Sequence, residues 1–132
     1  MSTTAPTSAR ATPARVSSLA SSTAFRTFAT VFAIATPIIY VACEMANYPV
    51  FTYHPGTGRI DLGWAPAVKD EGPAMHWYGW TLAALLGAGV LGLIAAQLPQ
   101  RLTARIPLAL TWITPLAAVP ILIYALRFYW RW

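Results

Sequence analysis

Residues 77–98 read WYGWTLAALLGAGVLGLIAAQL, and this stretch decides the fold class. It holds no charged side chain. At about 1.5 Å of helical rise per residue it is long enough to cross a hydrocarbon core of about 30 Å. Working outward, residues 27–43, TFATVFAIATPIIYVAC, form a second run of 17 uncharged residues between Arg26 and Glu44. That run covers about 26 Å and spans if Arg26 snorkels to the interface. A third run, Ile106 to Leu126, is bounded by Arg105 and Arg127. None shows sustained period-two alternation, which disfavours strands.

Composition agrees. The 132 residues are 57% apolar and 10% charged, where a soluble chain carries roughly a quarter charged residues. Three such helices have too little polar surface to stay in water as a monomer of this size. The net charge of +5 does not point to nucleic acid, because the basic residues sit singly at the edges of apolar runs. One cysteine, Cys43, excludes a disulfide framework and a multi-cysteine metal site.

The expectation is therefore an all-α integral membrane protein of three transmembrane helices. It has a disordered N-terminal tail and an aromatic-rich extramembrane loop that can hold a short β-hairpin. The boundaries are a tail over 1–24, spans over 25–45, 77–98 and 106–128, a loop over 46–76, a cytoplasmic turn over 99–105 and a C-terminal end over 129–132. The tail is rich in Ser, Thr, Ala and Pro, with Arg10 and Arg15 and no acid, a composition that cannot bury enough apolar area to order itself. A transit peptide is its alternative reading.

The basic residues orient the chain with its N-terminus inside. Arg10, Arg15, Arg26, Arg101 and Arg105 then face the cytoplasm, and Arg59, Lys69, Arg127 and Arg131 the other side. All four acids, Glu44, Asp61, Asp70 and Glu71, fall outside. The expected location is a bacterial cytoplasmic (inner) membrane or another energy-transducing membrane, with the loop extracytoplasmic.

The loop alternates aromatics with turn signals. His54-Pro55-Gly56-Thr57-Gly58 is a turn flanked by VFTY and RIDLGW, two segments able to pair as a hairpin. Trp64, Trp77, Trp80, Trp130 and Trp132, with Tyr48, Tyr53, Tyr78 and Tyr129, all map to the outer interface. Ordinary aromatic belts occupy both interfaces. This one-sided set makes Trp64, Trp77 and Tyr78 candidate docking residues, since such rings are favoured interface anchors. In the second span Ala84, Ala88, Gly92 and Ala96 recur at i, i+4. Ala88 and Gly92 on that strip admit a close helix neighbour, either from within the chain or from a partner.

Pro37, Pro115 and Pro120 lie inside spans, with Thr36, Thr111 and Thr114 near the carbonyls they free. No ionisable residue sits at mid-membrane, which argues against a transporter or channel. Sulfur and imidazole groups gather on the outer side: Cys43, Met45, His54, Met75 and His76. They follow no spacing that fixes a metal geometry. Tyr40-Val41-Ala42-Cys43 resembles a degenerate lipobox, with Tyr where Leu is usual.

By elimination the expected function is a non-catalytic accessory subunit of a larger membrane complex, of a respiratory or photosynthetic kind. Its partners are membrane lipid and that complex, with no nucleic acid, no catalytic residue, no metal and no cofactor of its own. The alternative is a haem-, pigment- or copper-binding membrane protein that uses His76 and His54.

Overall fold

The computed structural model describes residues 22–127 and is mostly helical, with one small sheet. Its elements are α1 (Thr23–Met45), β1 (Phe51–His54), β2 (Arg59–Leu62), α2 (Trp77–Ala96), the short α3 (Gln100–Thr103) and α4 (Leu110–Ala125). The expected tail lies outside the described residues except at its end. There Ser22 caps α1 by accepting the Phe25 N–H at 3.1 Å, a bond worth about 1 kcal/mol.

Two helices, α1 and α2, are long and apolar enough to cross a membrane. The third apolar helix, α4, has 16 residues, which at about 1.5 Å each gives about 24 Å. It is shorter than the 106–128 expected, and proline sterics explain its start. Pro107 disfavours helical backbone at Ile106, and a tight turn held by Leu110 N–H to Pro107 O at 3.0 Å precedes the helix. Likewise α2 stops at Ala96, because Pro99 biases Leu98 away from helix.

α1 is the central helix, packing against both α2 and α4. The contact with α2 uses the small residues: Ala84 and Ala88 are fully buried, and a Cβ at Gly92 would come within 2.8 Å of the Phe28 ring and 3.2 Å of its carbonyl oxygen. The buried strip continues through Ala95 rather than Ala96. Each step of four residues drifts about 40° around a helix, so three steps of four, Ala84 to Ala96, leave the stripe. Closing with a step of three returns to it.

The prolines are accommodated differently from expectation. Thr36 and Thr114 hydroxyls donate to the carbonyls of Phe32 and Leu110 at 2.7 and 2.9 Å. These are the i−4 carbonyls of the threonines themselves, one residue before those that Pro37 and Pro115 leave free. Large apolar side chains such as Leu86, Leu93, Leu116 and Ile123 remain exposed on the outward faces.

The expected hairpin is present. β1 and β2 pair antiparallel with Phe51 opposite Leu62, Thr52 opposite Asp61, Tyr53 opposite Ile60 and His54 opposite Arg59. On its other edge β1 meets Met75, whose N–H donates to Tyr53 O at 2.9 Å. The base of the hairpin rests on the first turn of α2 at Gly79, where a Cβ would collide with the Phe51 carbonyl and lie 2.7 Å from Pro49 Cβ.

These contacts rank three Gly→Ala variants. Gly79→Ala meets backbone and should destabilise the fold by about 1–3 kcal/mol, the usual range for overpacking. Gly92→Ala meets a ring that can shift and should lose less. Gly89, with open space around it, should gain up to about 1 kcal/mol from helix propensity. Unfolding in mixed SDS and mild-detergent micelles measures the order.

Candidate functional site

Strand alternation divides the hairpin into two faces. Thr52, His54, Arg59 and Asp61 occupy one; Phe51, Tyr53, Ile60 and Leu62 occupy the other. It is the polar face that is covered: Thr52 and His54 are fully buried, whereas Ile60 is 61% and Leu62 90% exposed. Residues 63–71 fold over the polar face. The Thr52 hydroxyl donates to Gly63 O at 2.8 Å and accepts the Ala65 N–H at 3.0 Å. The Gly56 N–H donates to Glu71 O at 2.8 Å.

Inside this cover His54 lies between two carboxylates. Its Nε2 is 3.1 Å from Asp61 Oδ2 and its Nδ1 3.5 Å from Glu71 Oε2, close approaches without good hydrogen-bond angles. Arg59 bridges the same two acids from outside, with Nη2 2.6 Å from Asp61 Oδ2 and Nη1 2.7 Å from Glu71 Oε1. Hydrogen bonding from Arg59, with its positive charge and that of His54, holds the Asp61 carboxyl below the usual carboxylate range against a smaller opposing effect of burial.

A second set of rings runs from the loop down to the helix ends. Trp64 stacks on His76 at 6.0 Å and 7°, His76 on Trp80 at 6.0 Å, and Trp80 meets Tyr40 edge-on at 6.3 Å. His76 Nε2–H donates to the Ala65 carbonyl at 2.9 Å, since a carbonyl only accepts. Thr52, Ala65 and His76 therefore form one hydrogen-bonded chain that ties strand, loop and helix start. Tyr53 packs edge-on to Tyr78 at 6.1 Å, which places the apolar face of the hairpin beside the start of α2. Two enclosed polar atoms, Glu44 Oε2 and Trp80 Nε1, find no partner among the described residues.

The candidate residues from sequence are thus separated. His54 and His76 sit in different clusters, one among carboxylates and one between indoles. Trp64, Trp77 and Tyr78 are about half exposed around the hairpin. Ala88 and Gly92 are turned toward α1 of the same chain. Trp130, Trp132 and Tyr129 lie outside the described residues. Among those described, no group of three or more His, Cys, Asp or Glu is placed to hold a metal ion.

Sequence reasoning passed over Thr52, Arg59, Asp61 and Glu71. For the first three the signal was the hairpin register, which puts them on the face of His54. Glu71 arrives through a loop that no local pattern specifies. Comparison of the chain with protein-family models, curated proteins and solved structures finds no match.

The Asp61 shift sets a pH dependence. A carboxyl whose pKa is depressed on folding stabilises the fold above its unfolded pKa, and that stabilisation is lost as pH falls through the folded value. Tryptophan fluorescence, to which Trp64 in the loop contributes, should therefore change on acidification below the ordinary carboxylate range. Asp61→Asn should flatten that limb while leaving the neutral-pH helix content unchanged.

Proposed function

We propose that the chain is a non-catalytic integral-membrane accessory subunit that docks a larger membrane assembly, of a respiratory or photosynthetic kind, through its extracytoplasmic loop. The observation that carries this reading is the inverted hairpin. Thr52 and His54 on its polar face are buried, whereas Ile60 and Leu62 on its apolar face stand uncovered, and Tyr53 on that same face packs on the half-exposed Tyr78. Exposed aliphatic and aromatic side chains of this kind are those an interface core uses. The small-residue strip is filled by α1, so docking rests on the loop and on the outward faces of α2 and α4.

The same geometry weighs against the cofactor reading. Both nitrogens of His54 face carboxylates, and Nε2 of His76 is spent on Ala65. A ligand role for either would first require breaking these contacts. We place the chain in a bacterial cytoplasmic or other energy-transducing membrane, with α4 as a third, shorter span and the N-terminus cytoplasmic.

Leu62→Asp tests the docking. The side chain is 90% exposed, so the change should alter stability within about 0.5 kcal/mol. Native gel migration in mild detergent should shift from a large assembly to the free chain. Trp64→Ala should act in the same direction, at a cost of about 2 kcal/mol of binding. Unchanged migration of both variants, with a visible absorption band lost in His76→Ala, would install the cofactor reading instead. Orientation is checked on a Cys43→Ser background: an impermeant thiol reagent added to intact cells should label Thr57→Cys and not Ser17→Cys.

A further inference from the structure

At the end of the bundle opposite the loop, one face of α1 carries Thr23, Arg26, Thr27 and Thr30, at i, i+3, i+4 and i+7. These four line a cleft of about 350 Å³ whose far wall includes Ile106 and Leu108. Among the described residues their donors find no acceptor. The hydroxyls of Thr36, Thr81, Thr111 and Thr114 each donate to a carbonyl three or four residues back. Thr23, Thr27 and Thr30 make no such bond, and the Arg26 guanidinium has no acceptor among the described residues. Arg101 and Arg105 lie at the same end, whereas every acid lies at the other.

A guanidinium fork and three hydroxyls that line one cleft, with no acceptor among the described residues, suit an oxyanion with several acceptor oxygens, of which phosphate is the commonest. Beside Thr103, the Ala104, Ile106 and Leu108 side of the far wall calls for a ligand with a hydrocarbon part next to that oxyanion. Beyond Thr30, α1 has no charged side chain until Glu44, so the cleft stands at headgroup level if α1 spans. Without an acid at this end, nothing is offered to the ammonium of a zwitterionic headgroup. We infer that the cleft binds the phosphate headgroup of an anionic phospholipid in the inner leaflet. Basic pockets between spanning helices commonly serve this role. The inference rests on the membrane-spanning reading but not on the docking of a partner.

The test titrates the delipidated full chain in detergent with phosphatidylglycerol, phosphatidylcholine or inorganic phosphate, and counts adducts by native mass spectrometry. One phosphatidylglycerol adduct is expected, with phosphatidylcholine bound more weakly. Arg26→Gln should weaken the adduct about fivefold, the scale of one basic residue at an anionic surface. Thr27→Val with Thr30→Val, which keeps shape and removes two donors, should weaken it about threefold. Arg101→Gln should change it less than either. Loss in Arg101→Gln equal to that in Arg26→Gln, with the threonine pair silent, would reduce the site to diffuse attraction and overturn the inference. Equal binding of phosphatidylcholine, or displacement of the lipid by millimolar inorganic phosphate, would also overturn it. Carbonate extraction of cell membranes separates the two premises: release of the chain would sink the membrane reading itself, whereas retention without lipid preference would sink only this site.

Discussion

The missing side chain at Gly79 is the constraint on which the hairpin and the loop around it depend. Only a hydrogen there lets the Phe51 carbonyl and Pro49 settle on the first turn of α2. The contact fixes the base of a two-stranded hairpin, and two strands alone would be marginal in water. From that base the remaining supports follow in order. Met75 pairs with the free edge of β1, Thr52 draws residues 63–65 across the sheet, and Ala65 receives His76 from the end of the loop. A cap of about thirty residues is thereby held with very little apolar core, by backbone pairing and a few buried side-chain hydrogen bonds.

That economy explains the inverted hairpin. A soluble domain buries the apolar face of a sheet and leaves the polar face in water. Here the polar face provides the hydrogen-bonding groups that hold the cap, so it must be the one enclosed. Arg59 is exposed and each of its ion pairs is individually weak. The buried imidazole stands between Asp61 and Glu71, and separating the acids would leave its two ring nitrogens enclosed without the polar groups they face. Turning this face inward leaves Ile60 and Leu62 outward, a cost that a neighbouring apolar environment would remove.

Much of this was legible in the residues. The charge-free run 77–98 specified α2, the turn His54 to Gly58 specified the hairpin, and the small-residue spacing marked a close helix contact that the structure assigns to α1. The limits of the reading were physical. Pro99 and Pro107 act on the residue before them, so both apolar helices begin or end inside the uncharged runs that measured them. The strip follows a mean period near 3.6, so Ala95 rather than Ala96 completes it. The pairing of His54 with Glu71 depends on a fold-back of residues 63–71 that no periodic signal encodes. The two histidines looked alike in sequence because each neighbours aromatics, and only the register revealed that they serve different clusters.

The two ends of the bundle resolve their charge in opposite ways. At the loop end, Arg59 pairs with Asp61 and Glu71, two of the chain's four acids. At the inner end Arg26, Arg101 and Arg105 meet no acid at all. An uncompensated cluster is costly for a folded chain to hold together unless its surroundings supply the counter-charge. In the proposed orientation the anionic face of a membrane would supply it at that end. The same asymmetry would then both orient the helices and leave Arg26 and its three threonines without an acceptor among the described residues, so the proposed orientation and the proposed headgroup site follow from one distribution of charge.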